Sequence, residues 1–466
     1  MSAEALARLA AERVDHRFKG LPPDADGLTV GELAAQRRNL FTDGFATPVL
    51  ALSAERLEHN LKLMETYATR HGLAFAPHGK TSMAPQLFHR QIEHGAWGIT
   101  LAVPHQVRVA RAFGIQRVFL ANELVDAAAL RWVAAELAGD PEFRFICYVD
   151  SVRGVELMHA ALSPLPAGGR PVDVVVELGA GEGARTGART EADCMAVADA
   201  VAAADTLRLV GVAGYEGEVP DADPERVRAW LRRLTALAAD FDKAGRFSGA
   251  GSATYGAVSA AFSGSGSASS RSESGAGAGT GTGTGAGAGL DEIVVSAGGS
   301  AWFDAVADVF AEIPELSLPV LKLLRSGAYV SHDDGHYKHV TPFNRVPEEG
   351  ALHPAFRLWA QVVSRPTADQ AFVNAGKRDA AYDLHLPEAQ VVRGARDGDE
   401  RPATGIEVTG LSDQHGWLRI SAEADLEVGD WVGLGLSHPC TSFDKWQLIP
   451  VVEADGTVTE YVRTFF

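Results

Sequence analysis

Eight short apolar runs alternate with helical stretches between residues 74 and 324, and they leave few folds open. The runs are residues 74–79, 99–103, 118–122, 144–150, 172–178, 208–215, 292–296 and 320–324. Most are continuously apolar rather than alternating. That is the signature of parallel strands covered on both faces. Stretches such as 104–113 and 224–243 read as the crossover helices. Eight such units over about 250 residues predict a (β/α)8 barrel. An open doubly wound sheet is the alternative, because sequence does not show closure.

The flanks follow other rules. Residues 1–46 read as a polar, mainly helical extension that caps the barrel or makes a dimer contact. Residues 47–53 form a short apolar run that opens a barrel domain spanning 47–330, and Ser53 is placed to cap a helix over 56–70. Residues 247–289 are almost entirely Gly, Ser, Ala and Thr, a composition that predicts a disordered insert between the sixth helix and the seventh strand. From 331 to 466 short strands recur without long helices between them: 356–364, 370–373, 389–392, 405–408, 416–420 and 431–436. Two more, 451–452 and 457–462, flank Asp455-Gly456, a hairpin signal. This half predicts a mostly β second domain.

Composition excludes some function classes. Lys plus Arg is 42 against 60 for Asp plus Glu, a formal charge of −18, which repels nucleic-acid backbones. Three cysteines make no disulfide framework and fit a reducing compartment. The N-terminal residues carry charges throughout, and no apolar run is long enough to span a bilayer. The expected location is the cytoplasm.

Chemistry-bearing residues gather at strand ends. Lys80 leaves the first barrel strand, where side chains point into the mouth and an amine can form a Schiff base. The plain reading of such a residue is a surface lysine. Ser296, Gly298, Gly299 and Ser300 lie between the seventh strand and a helical stretch over 301–310. Barrel phosphate sites often lie there, although a tight turn explains the same residues. Tyr215 ends the sixth strand, Arg185 follows the fifth, and Tyr329 follows the eighth. Near the C-terminus His438 and Cys440 stand two apart, so an extended strand would aim both at one point. An imidazole and a thiolate there suit zinc. A buried cysteine beside a satisfied histidine is the simpler reading of that pair alone.

The segment Pro77-His78-Gly79-Lys80-Thr81 resembles the pyridoxal phosphate (PLP) lysine motif of the D-serine dehydratase and D-threonine aldolase family. These are fold type III enzymes with an alanine racemase-like N-terminal barrel and a β-rich second domain. Arg185-Thr186-Gly187 resembles a second motif of that family, with extra glycines ahead of it here. The resemblance implies PLP on Lys80, with His78, Arg185, Tyr215, Ser296, Gly298, Gly299, Ser300 and Tyr329 around it. Arg185 is expected near the pyridine nitrogen, which a second cation would keep unprotonated. The resemblance also implies a metal on His438 and Cys440: zinc by the thiolate, with manganese or magnesium open. It implies that Lys80 takes the α-proton of a small β-hydroxy D-amino acid, and that the metal assists loss of hydroxide. The expected products are an α-keto acid and ammonia. D-threonine aldolase-type cleavage to glycine and an aldehyde is the nearest alternative, and a non-catalytic PLP-binding or homeostasis protein is the alternative of another class. A homodimer is expected by resemblance alone.

Overall fold

The computed structural model describes residues 3–165, 169–247 and 290–466. The Gly/Ser/Ala/Thr insert lies outside these residues except for Phe247, which is buried against Phe241.

In chain order the first nine strands are β1 (Val49–Ser53), β2 (Ala74–Phe75), β3 (Ile99–Leu101), β4 (Arg117–Glu123), β5 (Arg144–Val149), β6 (Val172–Leu178), β7 (Leu207–Gly214), β8 (Ile293–Ala297) and β9 (Val320–Leu324). Strands β2 to β9 are the eight expected ones. They form one parallel sheet in the order β2-β9-β8-β7-β6-β5-β4-β3. The sheet closes because β2 runs on past its two formal residues. Thr100 donates its N–H to the Pro77 carbonyl at 2.9 Å, Trp97 donates to Phe75 at 2.7 Å, and His78 bridges Thr100. Pro77 has no N–H to donate, which is why β2 is shorter than its apolar run.

Period-two alternation sorts the side chains. Val175 faces a small inner cluster with Ala76, Phe119, Ile146, Tyr148, Val210, Ala213, Val294 and Leu323. Val174 and Val176 face the helices and the main core. The helix over Ala54–Arg70 starts at Ser53, whose hydroxyl accepts from the Arg56 N–H at 3.4 Å. The helix over Pro224–Lys243 starts at Asp223, whose carboxylate accepts from Glu225 and Arg226.

The second domain holds β10 (Phe356–Thr367), β11 (Gln370–Val373), β12 (Glu388–Arg393), β13 (Glu400–Pro402), β14 (Ile406–Leu411), β15 (Gly416–Ile420), β16 (Trp431–Gly435), β17 (Leu448–Val452) and β18 (Val458–Arg463). Strands β17 and β18 pair across the expected hairpin, and Gly456 takes the positive φ of +84° that its turn needs.

Two expectations about boundaries give way. Strand β1 pairs with β10 and β17, not with the barrel, so both ends of the chain build the second sheet. Among its described residues the N-terminal segment is helical only over Ala3–Ala10 and Val30–Ala35, apart from a single 3-10 turn at Pro23–Ala25. Pro22 and Pro23 and the positive-φ glycines Gly20, Gly27 and Gly44 break the rest. Most of it packs on the second sheet: Val14, Phe18, Leu21, Leu33 and Leu40 share a cluster with Trp359, Leu448 and Tyr461. Among the described residues no helix is long and apolar enough to cross a membrane.

Candidate active site at the barrel mouth

A cavity of about 390 Å³ opens at the C-terminal ends of the barrel strands, against the second domain. That volume is within the ordinary range for small-molecule sites. Its lining brings together His78, Lys80, Arg185, Tyr215, Gly299, Ser300, His438 and Cys440. Eight residues named from sequence, spread over more than 350 positions, meet in one place.

Lys80 sits in the single 3-10 turn Gly79–Thr81 that ends the extended run. Burial and the charges of Arg185 and Arg325 hold its amine below the usual lysine range, although Cys440 pulls the other way. Burial, Lys80 and Arg325 likewise hold His78 neutral, and its Nδ1 is enclosed without a partner. Gly327 is needed here: a Cβ on it would lie 2.5 Å from the His78 Cβ.

His438 and Cys440 do not lie on a strand. His438 takes a left-handed backbone, φ +56°, and Cys440 opens the short helix Cys440–Phe443. A tight turn, not strand alternation, brings the two side chains together. Asp383 Oδ2 holds His438 Nδ1 at 2.5 Å, and Thr441 Oγ1 joins both. Asp383 and Thr441 both engage Nδ1, not Nε2. The bond to Cys440, with help from Asp383, pushes the His438 imidazole up to about 9. Burial pushes the Cys440 thiol up, but His438, Thr81 and Lys80 outweigh it, and the net direction is down. Cys440 Sγ also reaches Thr81 Oγ1 at 3.4 Å, one residue from Lys80. Among the described residues no third His, Cys, Asp or Glu joins the pair within mutual ligand distance.

Three sequence-named residues stand elsewhere. Tyr329 is buried with its hydroxyl accepting from Gln91 at 3.2 Å and its ring on Phe75, away from the cavity wall. The Ser296 hydroxyl is spent on the Leu323 carbonyl, 3.0 Å away inside the barrel. Gly298 is buried behind the wall, and its N–H is already taken by Glu216 at 2.9 Å. Arg185 lines the mouth, but its side chain is largely exposed and paired with Glu218. The arginine inside the barrel is Arg325, 2% exposed, which donates to the Gly214 carbonyl at 2.5 Å and lies over Phe119 and Tyr148.

The sequence reading assigns no site role to Tyr148, Glu177 or Tyr337. All three line the cavity, and the Tyr148 hydroxyl is buried without a partner. An arginine directly after an apolar strand, as at Arg325, was the available signal. Asp333 is a further find. Its carboxylate accepts N–H bonds from Tyr337 at 2.7 Å, Lys338 at 3.2 Å and His438 at 3.0 Å. It clips the loop after β9 to the turn that carries His438.

Glu177 meets Glu123 and Asp150 at the ends of β6, β4 and β5, with carboxylate oxygens all within 4.8 Å of one another. Burial first, then the Glu123 charge, pushes Glu177 up to about 9. The folded chain therefore holds this proton while the unfolded chain has released it. Stability falls as pH rises from the ordinary carboxylate range toward about 9, and the penalty is constant above that. Glu177→Gln is expected to unfold at a higher temperature than wild type at pH 8.5, with the gap shrinking toward pH 5. Thermal melts across that range check it; a gap independent of pH would contradict it.

The comparisons with known proteins agree with this architecture. Residues 52–263 match the family model described as alanine racemase, N-terminal domain, and residues 355–452 match the putative serine dehydratase domain. A D-threonine aldolase of Arthrobacter sp is 27% identical over 416 residues, covering 89% of this chain and 90% of the relative. A 3-hydroxy-D-aspartate aldolase of Paracoccus denitrificans is 29% identical over 180 residues, 38% of this chain and 44% of the relative. Among solved structures, D-threonine aldolase from Filomicrobium marinum superposes with TM-score 0.68 at 23% identity, covering 90% of this chain and 95% of that one. D-threo-3-hydroxyaspartate dehydratase from a Delftia species superposes with TM-score 0.64 at 19% identity, covering 92% and 99%. An alanine racemase-type N-terminal domain and a serine dehydratase-type domain are thus matched in succession along one chain, in the two-domain order that the resemblance of the Lys80 segment implies.

Proposed function

We propose that this chain is a PLP- and metal-dependent lyase that removes water and ammonia from a small β-hydroxy D-amino acid, leaving an α-keto acid. One observation carries the reading: a lysine from the barrel and an imidazole–thiol pair from the second domain line the same cavity. A lysine alone would serve a racemase; the added soft donors suit a reaction with a difficult leaving group.

The residues present fit both groups. For PLP there is an aldehyde-reactive amine at Lys80. Buried polar atoms without partners stand at His78 Nδ1, Tyr148 Oη and Arg325 Nε. At Gly299 and Gly327 a Cβ would collide with the Tyr215 ring and His78. For a metal there are one nitrogen and one sulfur donor, with Asp383 on the far ring nitrogen as the orienting carboxylate that metal-bound histidines usually have. Zinc is the metal that this donor pair favours. When bound, PLP supplies an electron sink for charge at Cα, and the metal supplies a Lewis acid for a departing β-oxygen.

The chain's own residues do the rest. Lys80, its amine held below the usual range, accepts and holds the α-proton at Nζ. Asp383 and Thr441 fix the His438 ring, and Asp333 fixes the backbone beneath it. Tyr337 and the Arg185–Glu218 pair frame the mouth through which substrate enters.

The D-threonine aldolase of Arthrobacter sp supports a second reading, C–C cleavage to glycine and an aldehyde. Cys440 argues for dehydration: the family resemblance pairs the histidine with a cysteine on the dehydratase side and with an aspartate on the D-threonine aldolase side, and this chain has Cys440. Incubation with D-serine, L-serine and D-alanine tests the class. Keto acid and ammonia from D-serine alone are expected. Racemisation of D-alanine without keto acid would overturn the lyase reading.

A further inference from the structure

The turn after β8 presents two successive N–H groups to one carboxylate. Gly298 donates to Glu216 Oε2 at 2.9 Å, and Gly299 donates to Glu216 Oε1 at 2.5 Å. Consecutive backbone N–H groups of this kind form an anion-binding nest. Here the nest is filled from within. Glu216 is 0% exposed, belongs to the turn after β7, and does not line the cavity. A ligand cannot reach these two donors without expelling a buried charge.

We propose that Glu216 is a positioning residue for the cofactor's phosphate: by occupying the Gly298–Gly299 nest it turns the next residues of the loop, headed by Ser300, toward the cavity as the phosphate cradle. This rests on the PLP reading above. Three features hold the turn in that attitude. Gly298 has φ +103°, and a Cβ on it would lie 2.2 Å from Leu324 Cδ1. The Tyr215 ring stands where a Gly299 Cβ would go, at 2.7 Å. The loop is tied to the one after β9, with Ser326 Oγ donating to the Gly299 carbonyl at 2.9 Å and Ala328 N–H donating to Ser300 Oγ at 3.2 Å. Gly299, Ser300 and Ala328 all line the cavity, whereas Gly298 and Glu216 stand behind it. A glutamine at 216 keeps the shape but offers one acceptor oxygen. One glycine N–H would then face an amide NH₂, and the turn would have to rotate.

The test compares PLP with pyridoxal, which lacks the phosphate, on cofactor-depleted protein by equilibrium dialysis. Wild type is expected to prefer PLP, and the ratio of the two Kd values isolates the phosphate contribution. Glu216→Gln is expected to shrink that ratio at least tenfold while pyridoxal affinity stays within about twofold. An unchanged ratio, or an equal loss for both ligands, would overturn the proposal. If Glu216→Gln does not accumulate as folded protein, Ser300→Ala decides. The proposal requires the same selective loss of the PLP margin, and an unchanged margin refutes it. Wild type that binds neither compound would instead overturn the PLP reading itself.

Discussion

Lys80→Ala is expected to abolish keto-acid formation from D-serine, with a loss of at least ~10³-fold in kcat, because it removes both the anchoring amine and the base at Cα. The fold should survive. The side chain lines the cavity rather than the core, and the turn Gly79–Thr81 is held by its backbone and by Met83 and Ser82 N–H bonds to the Gly79 carbonyl. The visible absorbance of protein-bound PLP should disappear while the thermal unfolding midpoint of the cofactor-free protein stays close to wild type. Retained activity would place the catalytic amine elsewhere.

Cys440→Ala and His438→Ala are expected to lose the metal and to lower kcat by about 10²–10³-fold. A Lewis acid is worth several kcal/mol at a leaving oxygen. The PLP absorbance should persist in both variants, which separates loss of metal from collapse of the site. Asp383→Asn should be milder, about 10–100-fold in metal affinity, because it disturbs the ring that donates rather than the donor itself. Elemental analysis after dialysis, run beside steady-state assays, reads both effects. Full activity in the metal-free Cys440→Ala protein would remove the metal from the account.

How much of this was legible without coordinates differs from residue to residue. The eight barrel strands were, because a strand covered on both faces leaves an unbroken apolar run. The Lys80 segment was too, since Pro77, Gly79 and Lys80 write the end of a strand into adjacent positions. His438 and Cys440 were found for a reason that the structure replaces. Two-residue spacing on a strand predicts convergence, but a positive-φ histidine achieves it. The run at Val49–Ser53 carries nothing that says which sheet it joins, and its partners β10 and β17 lie about 300 or more residues away. Tyr329 and Ser296 stand at the right strand ends, yet position does not say which way a hydroxyl turns; Gln91 and the Leu323 carbonyl decide it. The partners of Arg325, Glu216 and Asp333 were not legible, because a buried charge is defined by distant contacts. Glu216 finds its two donors 82 and 83 residues on, and Asp333 finds His438 105 residues on.

The most direct measurement follows keto acid, ammonia, glycine and aldehyde together, with D-serine and D-threonine as substrates, before and after chelation and after zinc is restored. Keto acid and ammonia that vanish on chelation and return with zinc are the predicted result. Glycine and an aldehyde from D-threonine, with no keto acid from either substrate, would contradict it.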